Sequence, residues 1–188
     1  KMAPALRMVG FDQVYDTDLS ADLTIMEEGT ELLQRLNKFL AGEETHLPIM
    51  TSCCPAWVNY YETQFPDMLD YPSTARSPQQ MFGSVAKNYM AEKLGVSRDK
   101  LVLVSVMPCL AKKTEASREE FSVDDNRDVD IVLSTRELAK LIKLKDINLA
   151  DLPESDFDDP LGESTGAAVI FGSTGGVIEA AVRSAYEL

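Results

Sequence analysis

At 188 residues with 45% hydrophobic content, the chain can bury a sizeable core as one domain or two small lobes. Eighteen basic against 31 acidic side chains give a net charge of −13, which excludes the basic surface that nucleic acid or an anionic membrane requires. No apolar run approaches the roughly 20 residues that span a bilayer, and the start KMAPALRMVG lacks a long apolar leader, so no membrane insertion and a cytoplasmic location are expected.

Short apolar runs rich in branched residues alternate with longer segments of helical period, the pattern of an α/β fold with a mainly parallel sheet. A first strand is expected at 6–10 and a helix over about 20–40. In that helix Ile25, Gly29, Leu32, Leu36 and Phe39 recur at spacings of three and four, a stripe that faces a core, while Glu28, Glu31 and Arg35 share another stripe. Taken alone, Glu31 and Arg35 read as an ordinary solvated i,i+4 pair. A strand at 47–52 leads into Cys53-Cys54-Pro55, with proline suited to the first position of a helix running to about residue 65. In SPQQ, Ser77 caps, Pro78 sits first and Gln80 completes a capping box for a helix with Phe82, Val85, Ala86, Tyr89 and Met90. A strand at 101–107 precedes Cys109 and the helix of LAKKTEAS, and a strand at 129–134 precedes a helix that Ser134 and Glu137 would cap. The stretch LPESDFDDPLGES, 152–164, reads as a polar, flexible loop. A last strand is expected at 167–172, and GSTGG opens a final helix in which the sequence stops, as a fragment would.

Three cysteines is an odd number, and vicinal Cys53 and Cys54 rarely pair, so a secreted disulfide framework is not expected. Both thiol sites follow strands and open helices, where open α/β sheets place ligands. A helix N-terminus favours the thiolate that binds metal, and Lys112 adds positive charge near Cys109. The same cysteines equally suit the role of small buried hydrophobes. His46 is the sole histidine and no CxxC occurs, so zinc or non-haem iron is poorly supplied. An iron-sulfur cluster needs about four ligands, of which Cys54 and Cys109 would give two. GSTGGVIEA matches no nucleotide-binding glycine pattern and reads as close helix-strand packing. The serines lack a nucleophile elbow, which disfavours a hydrolase.

TSCCPAW, MPCLAKKTEA and FGSTGGVIEAAVRSA, with ADLTIMEEGTELLQR and SPQQMFG before and between them, resemble in order and spacing successive blocks of the catalytic domain of [FeFe]-hydrogenases. The resemblance covers nearly the whole chain. It implies an α/β, two-lobed iron hydrogenase large-subunit fold with mainly parallel sheets flanked by helices. Residues 1–188 would be a partial H-cluster domain, its lobes meeting at the cluster cleft and its C-terminal part missing. It also implies the H-cluster, a [4Fe-4S] cubane joined to a two-iron subcluster bearing CO, cyanide and an azadithiolate bridge. The activity implied is reversible reduction of protons to dihydrogen, with ferredoxin or an NAD(P)H-linked module as electron partner.

By the same resemblance, Cys54 and Cys109 would be cubane ligands and Cys53 the proton-transfer thiol. Glu28, Ser73, Glu31 and Arg35 would continue the proton path, and Lys112 would donate to a cyanide. Met107, Pro4, Ala5, Gln79 and Phe171 would line the two-iron pocket. The chain departs from the family pattern at Ala56, where glycine is commonest, and at Ala5, where many active members have serine. It also lacks the CxxxC motif that supplies the remaining cubane ligands. A complete H-cluster is therefore not expected on these residues alone, nor is activity of the isolated chain. The alternatives are a non-catalytic relative of the iron-sulfur assembly type and a metal-free fragment of the family.

Overall fold

The computed structural model describes every residue except Pro160, Glu163 and Leu188. In chain order its elements are α1 (Met2–Val9), α2 (Asp18–Leu40), α3 (Pro55–Gln64), α4 (Pro78–Val85), α5 (Ala91–Leu94), β1 (Val104–Met107), α6 (Ala111–Ala116), β2 (Ser122–Val123), β3 (Asn126–Arg127), β4 (Ile131–Ser134), α7 (Thr135–Leu144), α8 (Gly166–Val169) and α9 (Gly176–Glu187). They fall into two interleaved compact units. The first comprises Lys1–Thr17 and Gly83–Glu163, the second Asp18–Phe82 and Ser164–Leu188.

In the first unit β1 and β4 pair in parallel, from Val104 opposite Ile131 to Met107 opposite Ser134. The link between them is long enough for a parallel crossover and carries α6 and the β2–β3 hairpin, whose turn residues Asp124 and Asp125 have positive φ. Such a turn matches the twist of its strands, and aspartate tolerates the left-handed region. α7 starts with the expected capping box: Ser134 Oγ accepts from the Glu137 N–H at 3.2 Å, and Glu137 accepts from the Ser134 N–H at 2.7 Å. Its Leu138 and Ile142 pack with Ala3 and Leu6 of α1 and with Val14. A second cluster joins Ala116, Val129 and Val132, with Leu103 and Met107 against it.

Between α4 and α5 the helix widens into a π turn, Ala86–Met90. Lys87 lies in it, 1% exposed. Its ammonium pairs with Asp130 at 2.8 Å and donates to the Leu101 carbonyl at 2.5 Å. Asp130 in turn accepts from the Leu103 N–H at 2.7 Å, so one buried cation ties this helix to the approach of β1.

In the second unit α2 packs against α8 and α9. Ile25 and Gly29 are buried on it, as are Ala180 and Ala181 on α9. A Cβ added at Gly29 would stand 3.6 Å from the Ala181 carbonyl, an ordinary contact, so α2 and α9 pack closely here with room for no more than a methyl group. The stripe expected to face the core continues to the half-buried Leu32 and fades beyond it, since Leu36 and Phe39 are exposed. Asp22 holds the start of α8 by accepting from the N–H groups of Thr165 and Ala168 and from the Thr165 hydroxyl.

Two strand expectations are overturned. Residues 6–10 belong to α1, where Ala3 and Leu6 share a helical face and Gly10, at φ 123°, closes the helix. Residues 167–172 form α8 and a 3-10 turn, because Thr165 caps them and Asp22 satisfies their free N–H groups. Residues 47–52 form no strand and make a single parallel bridge, Met50 with Pro72. The parallel sheet among the described residues is therefore confined to β1 and β4. GSTGG precedes α9 with Gly175 and Gly176 at positive φ, and follows a helical turn rather than a strand, so the helix-strand packing expected there is helix-helix packing. Of the loop expected at 152–164, Pro160 and Glu163 lie outside the described residues; 153–159 has no regular structure. Among the described residues no helix is long and apolar enough to cross a membrane.

Candidate functional site

In the second unit the site grows from the acidic face of α2. Glu31 and Arg35, one turn apart, do not form a solvated pair. Arg35 Nη2 donates to Glu31 Oε1 at 2.6 Å and Nε to the same oxygen at 3.1 Å. Its guanidinium also donates to the carbonyls of His46, Tyr71 and Pro72, each at 3.0 Å. Arg35 thereby fixes the 71–75 segment against α2. The Met50 to Pro72 bridge and a hydrogen bond from Ser52 Oγ to the Ala75 carbonyl, at 2.9 Å, hold that segment to 50–52.

This arrangement presents Ser73 to Glu31. The Ser73 hydroxyl donates to Glu31 Oε2 at 2.8 Å, and the Thr74 N–H donates to the same oxygen at 3.0 Å. Burial would push the Glu31 carboxyl up, but these donors and the Arg35 charge outweigh it and hold the group below its ordinary range.

Glu28, one turn earlier, is in the opposite state. It is 2% exposed, and one carboxyl oxygen, Oε2, has no hydrogen-bond partner. The other accepts a long bond, 3.4 Å, from the Ser52 N–H. Burial is the main reason that its carboxyl is pushed up to about 7, with the Glu31 charge adding to the effect against bonds from Ser52 and Ser73. One helical turn thus separates a carboxyl poised near neutrality from one held ionised. Ser52 is followed directly by Cys53, which is half-buried, and Cys54, which is exposed in the N-cap position of α3 ahead of Pro55.

Of the other residues singled out in this unit, Gln79 is buried on α4 and Phe171 is half-buried in the turn after α8. Hydrogen bonds join Glu31, Ser73 and Arg35 into one network and bring Glu28 to the residue before Cys53; Gln79 and Phe171 stand on other elements.

In the first unit Cys109 is half-buried just beyond β1, and Met107 ends that strand. Ala5 is wholly buried on α1, beside the half-buried Pro4. Lys112 is buried in α6, with Nζ 3.1 Å from both carboxylate oxygens of the buried Glu115. Sequence reasoning passed over Glu115, although its i,i+3 spacing from Lys112 was the available signal. It also passed over the backbone acceptors of Arg35, which carry no side-chain signal at all.

None of the three cysteines is in a disulfide. The donor set suits thiolate-held iron, but no group of three potential metal ligands occurs among the described residues. Two thiolates are a partial set for a cubane.

The sequence matches the family described as iron only hydrogenase large subunit, C-terminal domain, over residues 1–188. The chain belongs to this family. It is 69% identical over 189 residues to the NADP-reducing hydrogenase subunit HndD of Solidesulfovibrio fructosivorans, covering all of this chain and 32% of that protein. It is 48% identical to the periplasmic [Fe] hydrogenase large subunit of Nitratidesulfovibrio vulgaris, again along its whole length and over 44% of that protein. Identity to the cytosolic iron-sulfur assembly component 3 of Bos taurus is 34%, over 98% of this chain and 40% of that one. Among solved structures, an apo [FeFe]-hydrogenase HydA1 variant from Chlamydomonas reinhardtii superposes with a TM-score of 0.87 at 50% identity, covering all of this chain and 46% of that one. The α/β iron hydrogenase large-subunit fold is thus shared. The chain spans between about a third and a half of the length of these relatives.

Proposed function

We propose that this chain supplies part of the cluster-binding and proton-transfer apparatus of an [FeFe]-hydrogenase, an enzyme that reversibly reduces protons to dihydrogen. The observation that carries the reading is the pair of unlike carboxyls on α2. Glu28, poised at about 7, exchanges a proton readily near neutral pH, whereas Glu31 is fixed in place by Ser73, Thr74 and Arg35. A structural ion pair needs no neighbour with those properties.

Cys54 and Cys109 would hold a [4Fe-4S] cubane as thiolates, and its other two ligands would come from outside these 188 residues. When bound, the H-cluster, cubane plus two-iron subcluster, would relay electrons from the external partner and supply the metal centre at which protons and dihydrogen interconvert. Cys53 passes a proton between that centre and Glu28. Glu28 takes it up and hands it on toward Glu31, with Ser73 as a hydroxyl carrier. Arg35 keeps Glu31 oriented. Lys112 offers an ammonium donor to an anionic ligand of the two-iron unit, and Met107, Pro4, Ala5, Gln79 and Phe171 exclude water around it. Ala5, lacking a hydroxyl, leaves that ligand shell one donor short of the serine form.

The electron partner is ferredoxin or an NAD(P)H-linked module, the latter supported by the NADP-reducing relative, and a coenzyme-linked partner favours a cytoplasmic location. By ligand count, these 188 residues alone would be inactive. A non-catalytic assembly role has support from relatives such as the 34% identical bovine protein, but identity is higher to the hydrogenases, and a cluster scaffold has no use for Glu28. The test is Cys53→Ala in the full-length enzyme. Hydrogen production should fall by about 100-fold or more while iron content stays near that of the parent. Loss of iron would instead make Cys53 the ligand and refute the assignment of the two thiols.

A further inference from the structure

Arg35 closes the carboxyl path at its outer end, and a guanidinium keeps its protons at every working pH, so it cannot itself accept one. A proton that passes between Glu31 and water needs a titratable group beside this end. The structure sets one there. The carbonyl that Arg35 Nη1 holds at 3.0 Å belongs to His46, the sole histidine of the chain. The His46 ring stands edge-on to the Tyr71 ring with centroids 5.3 Å apart, and the Tyr71 carbonyl is a second acceptor of the same guanidinium nitrogen. Two residues beyond Tyr71 lies Ser73, the hydroxyl donor to Glu31. Backbone and ring thus both fix this imidazole at the Arg35 end of the network. The residue is half-buried, and among the described residues neither ring nitrogen is hydrogen-bonded or sealed from solvent, so the ring opens to water. The charged and titratable groups beside it, in space or in sequence, are Glu31 and Arg35 on α2, Asp70 and Tyr71 on the facing segment, and the exposed Glu43 and Glu44 on its own loop. Imidazole is the side chain that ordinarily gains and loses a proton in the physiological range, which suits it to a shuttle.

Resting on the relay read above, we propose that His46 is the proton-exchange residue at the solvent end of the path. Its imidazole takes a proton from water or a buffer acid, and the imidazolium releases it toward the Glu31 carboxylate past Arg35. Two protons pass inward in this way for each dihydrogen formed, and no electrons move on this leg; hydrogen oxidation runs the same steps outward. Free hydronium is scarce at neutral pH, so a surface base that exchanges with buffer keeps the path supplied.

The experiment uses the full-length holoenzyme with His46→Gln, His46→Phe and Glu28→Gln, read by iron content, by thermal midpoint and by hydrogen production in weakly buffered solution at neutral pH, with and without excess imidazole. His46→Phe keeps a ring against Tyr71, and neither His46 change touches the carbonyl that Arg35 holds, so iron content and thermal midpoint should stay parental. Production in weak buffer should fall by at least about 10-fold in both His46 variants, and imidazole should restore it. A parental rate in weak buffer in either variant, or a loss that imidazole leaves in place, would overturn the proposal, the second outcome marking a merely structural role. If one variant does not fold, the other decides alone. Glu28→Gln should stay slow with or without imidazole; parental production there would bring down the relay itself, and the proposal with it.

Discussion

Replacing Glu28 by glutamine keeps the shape of the side chain and removes its titration. In the folded protein burial moves this carboxyl from its ordinary 4.5 to about 7, so between those values the folded state binds a proton that the unfolded state has released. Stability from this group is therefore fully present below pH 4.5 and is lost as the pH rises through 7. At 1.36 kcal/mol for each pH unit of displacement, the loss is about 3 kcal/mol. Only 2% of the residue is exposed, so solvent does little to reduce it. The assay is urea unfolding of parent and Glu28→Gln at pH 5 and pH 8. The variant should gain about 2.5 kcal/mol on the parent between the two, because pH 5 already lies above the unfolded value. Glu31 does not mask the effect, because its lowered carboxyl contributes stability above its ordinary range and loses it only at more acid pH. Parallel pH profiles for the two proteins would refute the reasoning, since they would mean that Glu28 is hydrated or paired.

Arg35→Met should cost about 3–5 kcal/mol in urea unfolding, since it leaves the Glu31 carboxylate and three carbonyls without their guanidinium. Arg35→Lys should recover only part of this, for an ammonium cannot reproduce the fork. Lys87→Met leaves Asp130 with the Leu103 N–H but without its cation and should cost about 1–3 kcal/mol. Combining it with Asp130→Asn should then cost less than the sum of the two, as measured in a double-mutant cycle. Gly83→Ala places a Cβ 2.9 Å from Val129 Cγ2 and 3.0 Å from the Asp128 carbonyl, and should lower stability by about 1–3 kcal/mol despite alanine's better helix propensity.

Local chemistry made some of these elements legible in advance. Pro55 after Cys54, Pro78 after Ser77 and the Ser134 to Glu137 box all mark helix starts found in the structure. The Ser77 cap is half of what its pattern promised: its hydroxyl accepts from the Gln80 N–H, but the Gln80 side chain is buried without a hydrogen-bond partner. The branched runs of β1 and β4 were equally plain. The runs at 6–10 and 167–172 misled because a short, mostly apolar run fits a buried strand or a buried helical turn alike. What settles the second is Asp22, more than 140 residues away in the chain. The site divides along the same line. The spacing of Glu28, Glu31 and Arg35 was visible, but their unequal burial was not, since it depends on the 71–75 segment folding back over α2.

The interleaving of the two units sets an order on synthesis. α2 is synthesised well before its partners α8 and α9, which lie far behind it in the chain. At ordinary elongation rates the small-residue face around Ile25 and Gly29 waits roughly 7–30 seconds for them. During that interval the first unit receives all its segments while the second lacks its closing helices. The helix that carries Glu28 and Glu31 is thus translated long before it is buried, and a nascent chain has an apolar surface to shield until the packing of α9 removes it.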